Sequence, residues 1–241
     1  MKLIADTHCH TIASSHAYST ILENVSYAKK KGLKYLAITD HTGEIPSSPD
    51  EWYFHNLQII PKEIDGVNIL KGIESNVLGA SGNVDIPKLY PKQRLNWVVA
   101  SIHDNAWNGP SDIYSCSDAW INVAKNKLVN VIGHSGLKDF QYDYEEVIPI
   151  FRDNHKLVEI NASSFKVRPG CRDNCKRIAE ICKKTNTYVI VDSDAHIAPH
   201  VGRFDDAIEL LNEIDFPENL IINSSIETFE NYLKSYTNFF D

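Results

Sequence analysis

Apolar residues fall into short runs, many of them β-branched, separated by longer stretches with helical spacing. The runs are Leu3-Ile4-Ala5, Tyr35–Thr39, Val67–Ile73, Trp97–Ile102, Leu128–Ile132, Lys156–Asn161 and Tyr188–Val191. Runs of this length and composition predict buried strands. Between them, helices are predicted over 20–31, from Pro49-Asp50-Glu51 through Leu57, and over 117–127, 144–154, 172–184, 204–214 and 226–236. Thr20 followed by Glu23 is an N-cap signature, Gly32 is a stop signal, and Pro149 is a candidate kink. Leu220-Ile221-Ile222 predicts a last short strand. Strands alternating with helices imply a parallel sheet. Seven good strands and a weak eighth suggest an α/β barrel, irregular or incompletely closed, and 241 residues is a normal length for one such domain. No linker or low-complexity segment divides the chain, so 1–241 is read as a single domain.

The strand ends carry the chemistry. The first run leads into Asp6-Thr7-His8-Cys9-His10, and the later ones reach Asp40-His41, Glu74, His103, His134 and Asp194-Ala195-His196. Alternate residues of a strand share a face, so His8 and His10 stand about 6.6 Å apart and can reach one metal ion. From Asp40 the steps to Glu74, His103 and His134 are about one βα unit each. A parallel barrel gathers these ends on one face, where loops hold the active site. His16, on the polar loop 11–19, falls close by. The loops 41–50 and 77–87 are expected to shape the pocket, the second lying over it. His55, His155 and His200 fall on helices or the final loop and read as surface residues.

Nine imidazole and carboxylate donors exceed the four of a tetrahedral zinc site. They suit two or three ions, and imidazole with carboxylate favours zinc, iron or manganese. Such ions lower the pKa of bound water and hold the oxygens of a phosphoryl group.

Charge and cysteine content narrow the partners. The net charge is −8 with no basic block, which disfavours a role on long nucleic acid. Met1–Asp6 has too short an apolar region for export and no run reaches membrane-spanning length, so a cytoplasmic location is expected. The five cysteines, Cys9, Cys116, Cys171, Cys175 and Cys182, read as free thiols. Cys171 and Cys175 are expected to face the barrel from a helix rather than bind zinc, and Cys9 to point into the core. Assembly into a homo-oligomer stays open.

Asp6-Thr7-His8-Cys9-His10, Ile38-Thr39-Asp40-His41, Gly72-Ile73-Glu74, Ala100-Ser101-Ile102-His103, Gly133-His134 and Asp192-Ser193-Asp194-Ala195-His196 resemble the successive motifs of the PHP (polymerase and histidinol phosphatase) superfamily. The similarity runs from residue 2 to about 204, and the length resembles the stand-alone YcdX-type phosphatases. The resemblance implies a distorted (β/α)7 barrel with three divalent metal ions, usually zinc, sometimes manganese or iron. One ion would take His8, His10, Glu74 and Asp194. A second would take His103 and His134 with Glu74 bridging, and a third His16, His41 and His196. Asp6 and Asp40 are candidates for orienting histidines, with loop capping an equal alternative. Arg203 is a candidate for substrate phosphate, Arg168 and Arg172 weaker ones.

The expected activity is hydrolysis of small phosphomonoesters by attack of a metal-bound hydroxide, with Glu74 and Asp194 as the catalytic carboxylates. The alternatives are a dedicated histidinol-phosphate phosphatase, phosphodiester or nuclease chemistry, and a non-catalytic metal-binding module. An amidohydrolase-like site is disfavoured because the third strand ends in Glu74 and no strand-end lysine is evident.

Overall fold

In the computed structural model, which describes residues 1–46, 48–87 and 95–241, the apolar runs are strands of one parallel barrel. They are β1 (Ala5–Asp6), β2 (Tyr35–Ile38), β4 (Val67–Asn76), β5 (Trp97–Ser101), β6 (Val131–Ile132), β7 (Leu157–Asn161) and β8 (Val189–Asp192). They pair in the order β1-β2-β4-β5-β6-β7-β8, and β3 (Glu63–Ile64) adds to β4 antiparallel. Asp65 and Gly66 make that hairpin turn with φ of 52° and 82°, the left-handed pair that a two-residue loop requires.

The helices are α1 (Ile21–Lys31), α2 (Glu51–Asn56), α3 (Ile113–Lys125), α4 (Tyr144–Asp153), α5 (Ser164–Val167), α6 (Cys171–Thr185), α7 (Asp205–Glu213) and α8 (Ile226–Tyr236). α1 carries the expected capping box between Thr20 and Glu23, and Gly32 ends it at φ 76°. α3 starts four residues before its expected position because the Asp112 side chain accepts from Ser115 N and caps it there. α4 contains Pro149. α5 was not anticipated.

Two expectations on strands are corrected. β4 runs on to Asn76, so Glu74 lies inside the strand rather than at its end. Leu220-Ile221-Ile222 is not a strand. Glu218–Leu220 and Ile222–Ser224 are 3-10 turns, and only a single bridge joins Ile221 to Val189. The segment is too short to continue a ladder, and Asn223 takes over the pairing. Its amide donates to Ala5 O and Val191 O, and its Oδ1 accepts from Val191 N.

The same side chain spans the seam between β1 and β8, which share no ladder. Higher up, Thr7 donates from N and Oγ1 to Asp192, and Ser193 donates from N and Oγ to Asp6. A lone bridge joins Cys9 to Ala195. Side chains and this one bridge therefore complete a ring that no ladder closes.

Inside the barrel, Ala37, Leu70, Val99, Val131, Leu157 and Ile190 form an apolar floor, closed below by Phe229, Tyr232 and Leu233 of α8. Strand alternation then dictates what stands above them. From Leu70 it leads through Gly72 to Glu74, from Val99 through Ser101 to His103, from Leu157 through Glu159 to Asn161, and from Ile190 through Asp192 to Asp194. The middle layer is narrow: a Cβ on Gly133 would meet Ser101 Oγ at 2.2 Å. Most of the remaining buried apolar residues, Cys171, Cys175 and Cys182 among them, belong to the larger core cluster that also takes in the helices.

Candidate metal centre

Above the middle layer the barrel presents imidazoles and carboxylates packed closely enough to share ligands. Glu74 is 1% exposed and stands at their centre. Its Oε1 lies 3.0 Å from His134 Nε2, 3.3 Å from His8 Nε2 and 3.4 Å from His103 Nε2. Its Oε2 lies 2.9 Å from His41 Nδ1 and 3.5 Å from His10 Nε2. Asp194 Oδ1 is 3.2 Å from His10 Nε2 and 3.7 Å from His8 Nε2. His196 stacks on His10 at 4.3 Å, and His16 Nε2 is 3.3 Å from His41 Nε2. All nine donors expected from the sequence thus meet at one end of the barrel.

The grouping differs in detail from the expected one. Donor atoms within 4.8 Å of one another occur for His8, His10 and Asp194, for His41, Glu74 and His103, and for His10, His41 and His196. The first set holds three of the four residues expected together, and Glu74 falls in the second. His41 stands between the other two sets, and His10 takes the place expected for His16.

Apart from His134 Nε2 with Glu74 Oε1 and His41 Nε2 with His16 Nε2, several of these atoms do not pair. His8 Nε2, His10 Nε2, His41 Nδ1 and Glu74 Oε2 are buried without a hydrogen-bond partner, although each lies 2.9–3.5 Å from an opposite group. Buried polar atoms are nearly always satisfied. Donors that are close but misaligned with one another fit a cation held between them, and imidazole with carboxylate is the donor set of zinc, iron or manganese.

The electrostatics agree. Burial disfavours the Glu74 carboxylate, but His8, His41 and His103 outweigh it and hold its carboxyl well below the usual range. Asp194 is likewise held down against burial, by His8 and His10. Burial lowers His10 well below the ordinary imidazole value, and burial with Arg168 brings His134 to about 4. His8 goes the other way: burial opposes its proton, but Glu159, Glu74 and Asp194 raise it well above the ordinary value.

The supporting contacts are only partly those expected. Asp6 and Asp40 orient no histidine. Asp6 accepts from Ser193 and Gly202 N, and Asp40 from Thr11, Ser14 Oγ and Tyr53 Oη, so both carboxylates hold loops. The histidines are oriented by residues that the sequence reading passed over. Glu159 Oε1 lies 2.7 Å from His8 Nδ1, and Asn76 Oδ1 lies 2.7 Å from His103 Nδ1. Both sit inside strands on the face of the ligands, and a charged or amide residue at such a position was the available signal. The loop 77–87 supports this side of the site, because Asp85 accepts from Asn76, Ser75 and Thr42. In the loop 41–50, Ser47 lies outside the described residues.

A cleft of about 570 Å³ opens beside the cluster, lined in part by His16, Arg168, Asp194, His196, His200 and Arg203. Arg203 lines this cleft. Arg168, given less weight from the sequence, reaches farther in: its guanidinium is 3.3 Å from Asp194 Oδ2. Arg172 instead pairs with Glu213 on the surface. Cys9 is fully buried, its Sγ 3.9 Å from Ser193 Oγ.

Comparison with known proteins agrees with this arrangement. A protein of Caldanaerobacter subterraneus subsp. tengcongensis named a probable phosphatase is 44% identical, over 97% of this chain and 92% of its own. One from Acetivibrio thermocellus, also named a probable phosphatase, is 43% identical over 97% and 96%. Among solved structures, histidinol phosphate phosphatase from Lactococcus lactis subsp. lactis, complexed with zinc, L-histidinol and phosphate, superposes with a TM-score of 0.59. It covers 90% of this chain and 95% of its own at 17% identity, a likeness of fold. The PHP domain model matches residues 6–163, and with relatives this similar along their whole length the chain belongs to the PHP domain family.

Proposed function

We propose that the protein is a metal-dependent phosphatase that hydrolyses small phosphomonoesters at a site of three divalent ions. The reading rests on the cluster of buried, unpaired donor atoms around Glu74 at the edge of an open cleft. His8, His10, Glu74 and Asp194 would hold one ion, Glu74 with His103 and His134 a second, and His16, His41 and His196 a third. Zinc suits this donor set, with manganese or iron as alternatives. Bound there, the ions supply a nucleophile at neutral pH and positive charge for the phosphoryl oxygens.

The chain's own groups do the rest. Glu74 and Asp194 are the catalytic carboxylates, held ionised by the surrounding imidazoles. Asn161 and Arg168 fix Asp194 Oδ2, so that Oδ1 stays turned toward His8 and His10. Arg203, exposed on the cleft, would meet a phosphate oxygen with its fork of donors. A cleft of about 570 Å³ suits a small substrate, and the net charge of −8 opposes long nucleic acid. Among the described residues no helix is long and apolar enough to cross a membrane. Action in the cytoplasm by a single domain over 1–241 completes the reading.

The test is turnover of an aryl phosphate monoester, with an aryl phosphodiester and histidinol phosphate beside it. Protein loaded with zinc, manganese or iron should cleave monoesters and lose the activity to a chelator. No turnover with any of the three metals would leave a non-catalytic metal module, and preference for the diester would point to nuclease-type chemistry.

A further inference from the structure

We propose that Glu159 is a positioning residue that fixes two histidines of the cluster at once, His8 through its ring and His134 through its backbone. Glu159 stands on β7, 2% exposed, one strand step above the barrel floor. Its Oε1 is 2.7 Å from His8 Nδ1. Its Oε2 accepts from His134 N at 2.6 Å and from Asn161 Nδ2 at 3.3 Å. His8 follows the first strand and His134 the sixth, so one carboxylate ties together two ligands far apart in the chain.

The chemistry of each contact is determined by what a carboxylate can do. An ionised carboxylate only accepts hydrogen bonds, so His8 must carry a proton on Nδ1. Once a cation displaces its second proton, His8 Nε2 is the atom left to present a lone pair, and Nε2 is the atom 3.3 Å from Glu74 and 3.7 Å from Asp194. The second contact acts on the main chain. His134 has φ 22°, outside the regions that non-glycine residues ordinarily adopt. A charge-assisted hydrogen bond to its N–H holds the backbone there and with it aims the ring at Glu74, 3.0 Å away. Gly133 beside it has no room for a side chain that would otherwise stiffen the turn.

Glutamine at this position separates positioning from packing. It fills the same space, but its amide offers one accepting oxygen and one NH2 donor. All three protein partners of Glu159, His8 Nδ1, His134 N and Asn161 Nδ2, are N–H groups. One of them must therefore face a donor, and either His8 gives up its Nδ1 proton and protonates Nε2, or His134 N–H loses its acceptor.

The inference rests on His8 and His134 being metal ligands, as proposed above. The experiment uses zinc titration against a competing chelator on the full-length wild-type chain and on Glu159→Gln. Nitrogen NMR of the histidine rings in zinc-loaded protein accompanies it, and denaturant melts report folding. Wild-type protein should show His8 protonated on Nδ1 and bound through Nε2. Glu159→Gln should stay folded, bind zinc about 10- to 100-fold more weakly, and lose the Nδ1–H resonance from its low-field position. Excess zinc should recover kcat while KM stays unchanged, since Glu159 touches no substrate. Zinc affinity equal to wild type in a folded Glu159→Gln would overturn the inference and leave the metal site standing. If that variant does not fold, the wild-type spectrum decides: His8 bound through Nδ1 overturns the inference as well. A wild-type chain that binds no ion would instead overturn the proposed function, and this inference with it.

Discussion

Asn76 and His103 stand on neighbouring strand ends, joined by a contact of 2.7 Å between Asn76 Oδ1 and His103 Nδ1. An amide oxygen only accepts, so His103 carries its proton on Nδ1 and turns Nε2 toward Glu74. Asn76 is itself held, its amide nitrogen donating to Asp85 at 2.7 Å. Asn76→Ala should cost about 1–3 kcal/mol by leaving Asp85 and His103 short of partners. It should also weaken metal binding about tenfold or more. Denaturant melts and zinc titration read the two effects, and zinc binding equal to wild type would show that His103 needs no such support.

Glu74 is the glutamate that five imidazoles approach, and its two oxygens face different histidines. Glu74→Gln keeps the shape and removes the charge. The expected outcome is loss of metal from two positions and a fall in kcat of at least about 100-fold. Retention of all metal with near-normal turnover would remove Glu74 from its bridging role.

Elemental analysis of protein purified without chelator should approach three ions per chain. A reproducible value near one, after loading with zinc or manganese, would contradict a three-ion site.

The phosphorus stereochemistry is also accessible. Direct attack by water inverts configuration, whereas a phosphorylated side chain gives net retention. Cys9 points to Ser193 from full burial, which pushes its thiol well above its ordinary value, and Ser101 Oγ has no hydrogen-bond partner to serve as its base. Inversion is therefore expected from a chiral thiophosphate ester hydrolysed in labelled water, and retention would require a covalent intermediate.

Lys156 offers a pH test away from the site. It is buried and donates to Asn126 O and Val129 O, and burial brings its ammonium from 10.5 down to about 8. Between these values the unfolded chain holds a proton that the folded one has released. Stability from this group therefore rises as pH increases from about 8 to 10.5, and the cost of burying the charge is fully present below 8. The difference in unfolding free energy between wild type and Lys156→Met should shift toward wild type across that window. A flat difference would mean that the two carbonyls offset the burial.

The strand-end residues were legible because two independent patterns coincide in them: apolar runs one βα unit apart, and metal-binding side chains at their ends. Glu159 was not, because inside an apolar run a polar residue is indistinguishable from a satisfied core residue until its partner is known, and Asn76 was not, because it lies past Glu74, beyond the expected end of the strand. For Asp6 and Asp40 the sequence left histidine orientation and loop capping equally open, since their partners Gly202 and Tyr53 reach them only through the fold. Leu220-Ile221-Ile222 misled because three apolar residues carry no periodicity. The Asp65-Gly66 turn carries its signature in the sequence itself, an Asp-Gly pair.

The seam between β1 and β8 has a consequence for the barrel as a whole. The seam is held by side-chain contacts, the lone Cys9–Ala195 bridge and His10 N donating to Ala195 O, and no ladder shares the load. His8 and His10 stand on one lip of that seam, Asp194 and His196 on the other. Any cation that binds both lips is a clasp, and filling the site and locking the ring become a single event. One set of side chains would then serve both the chemistry and the closure of the ring.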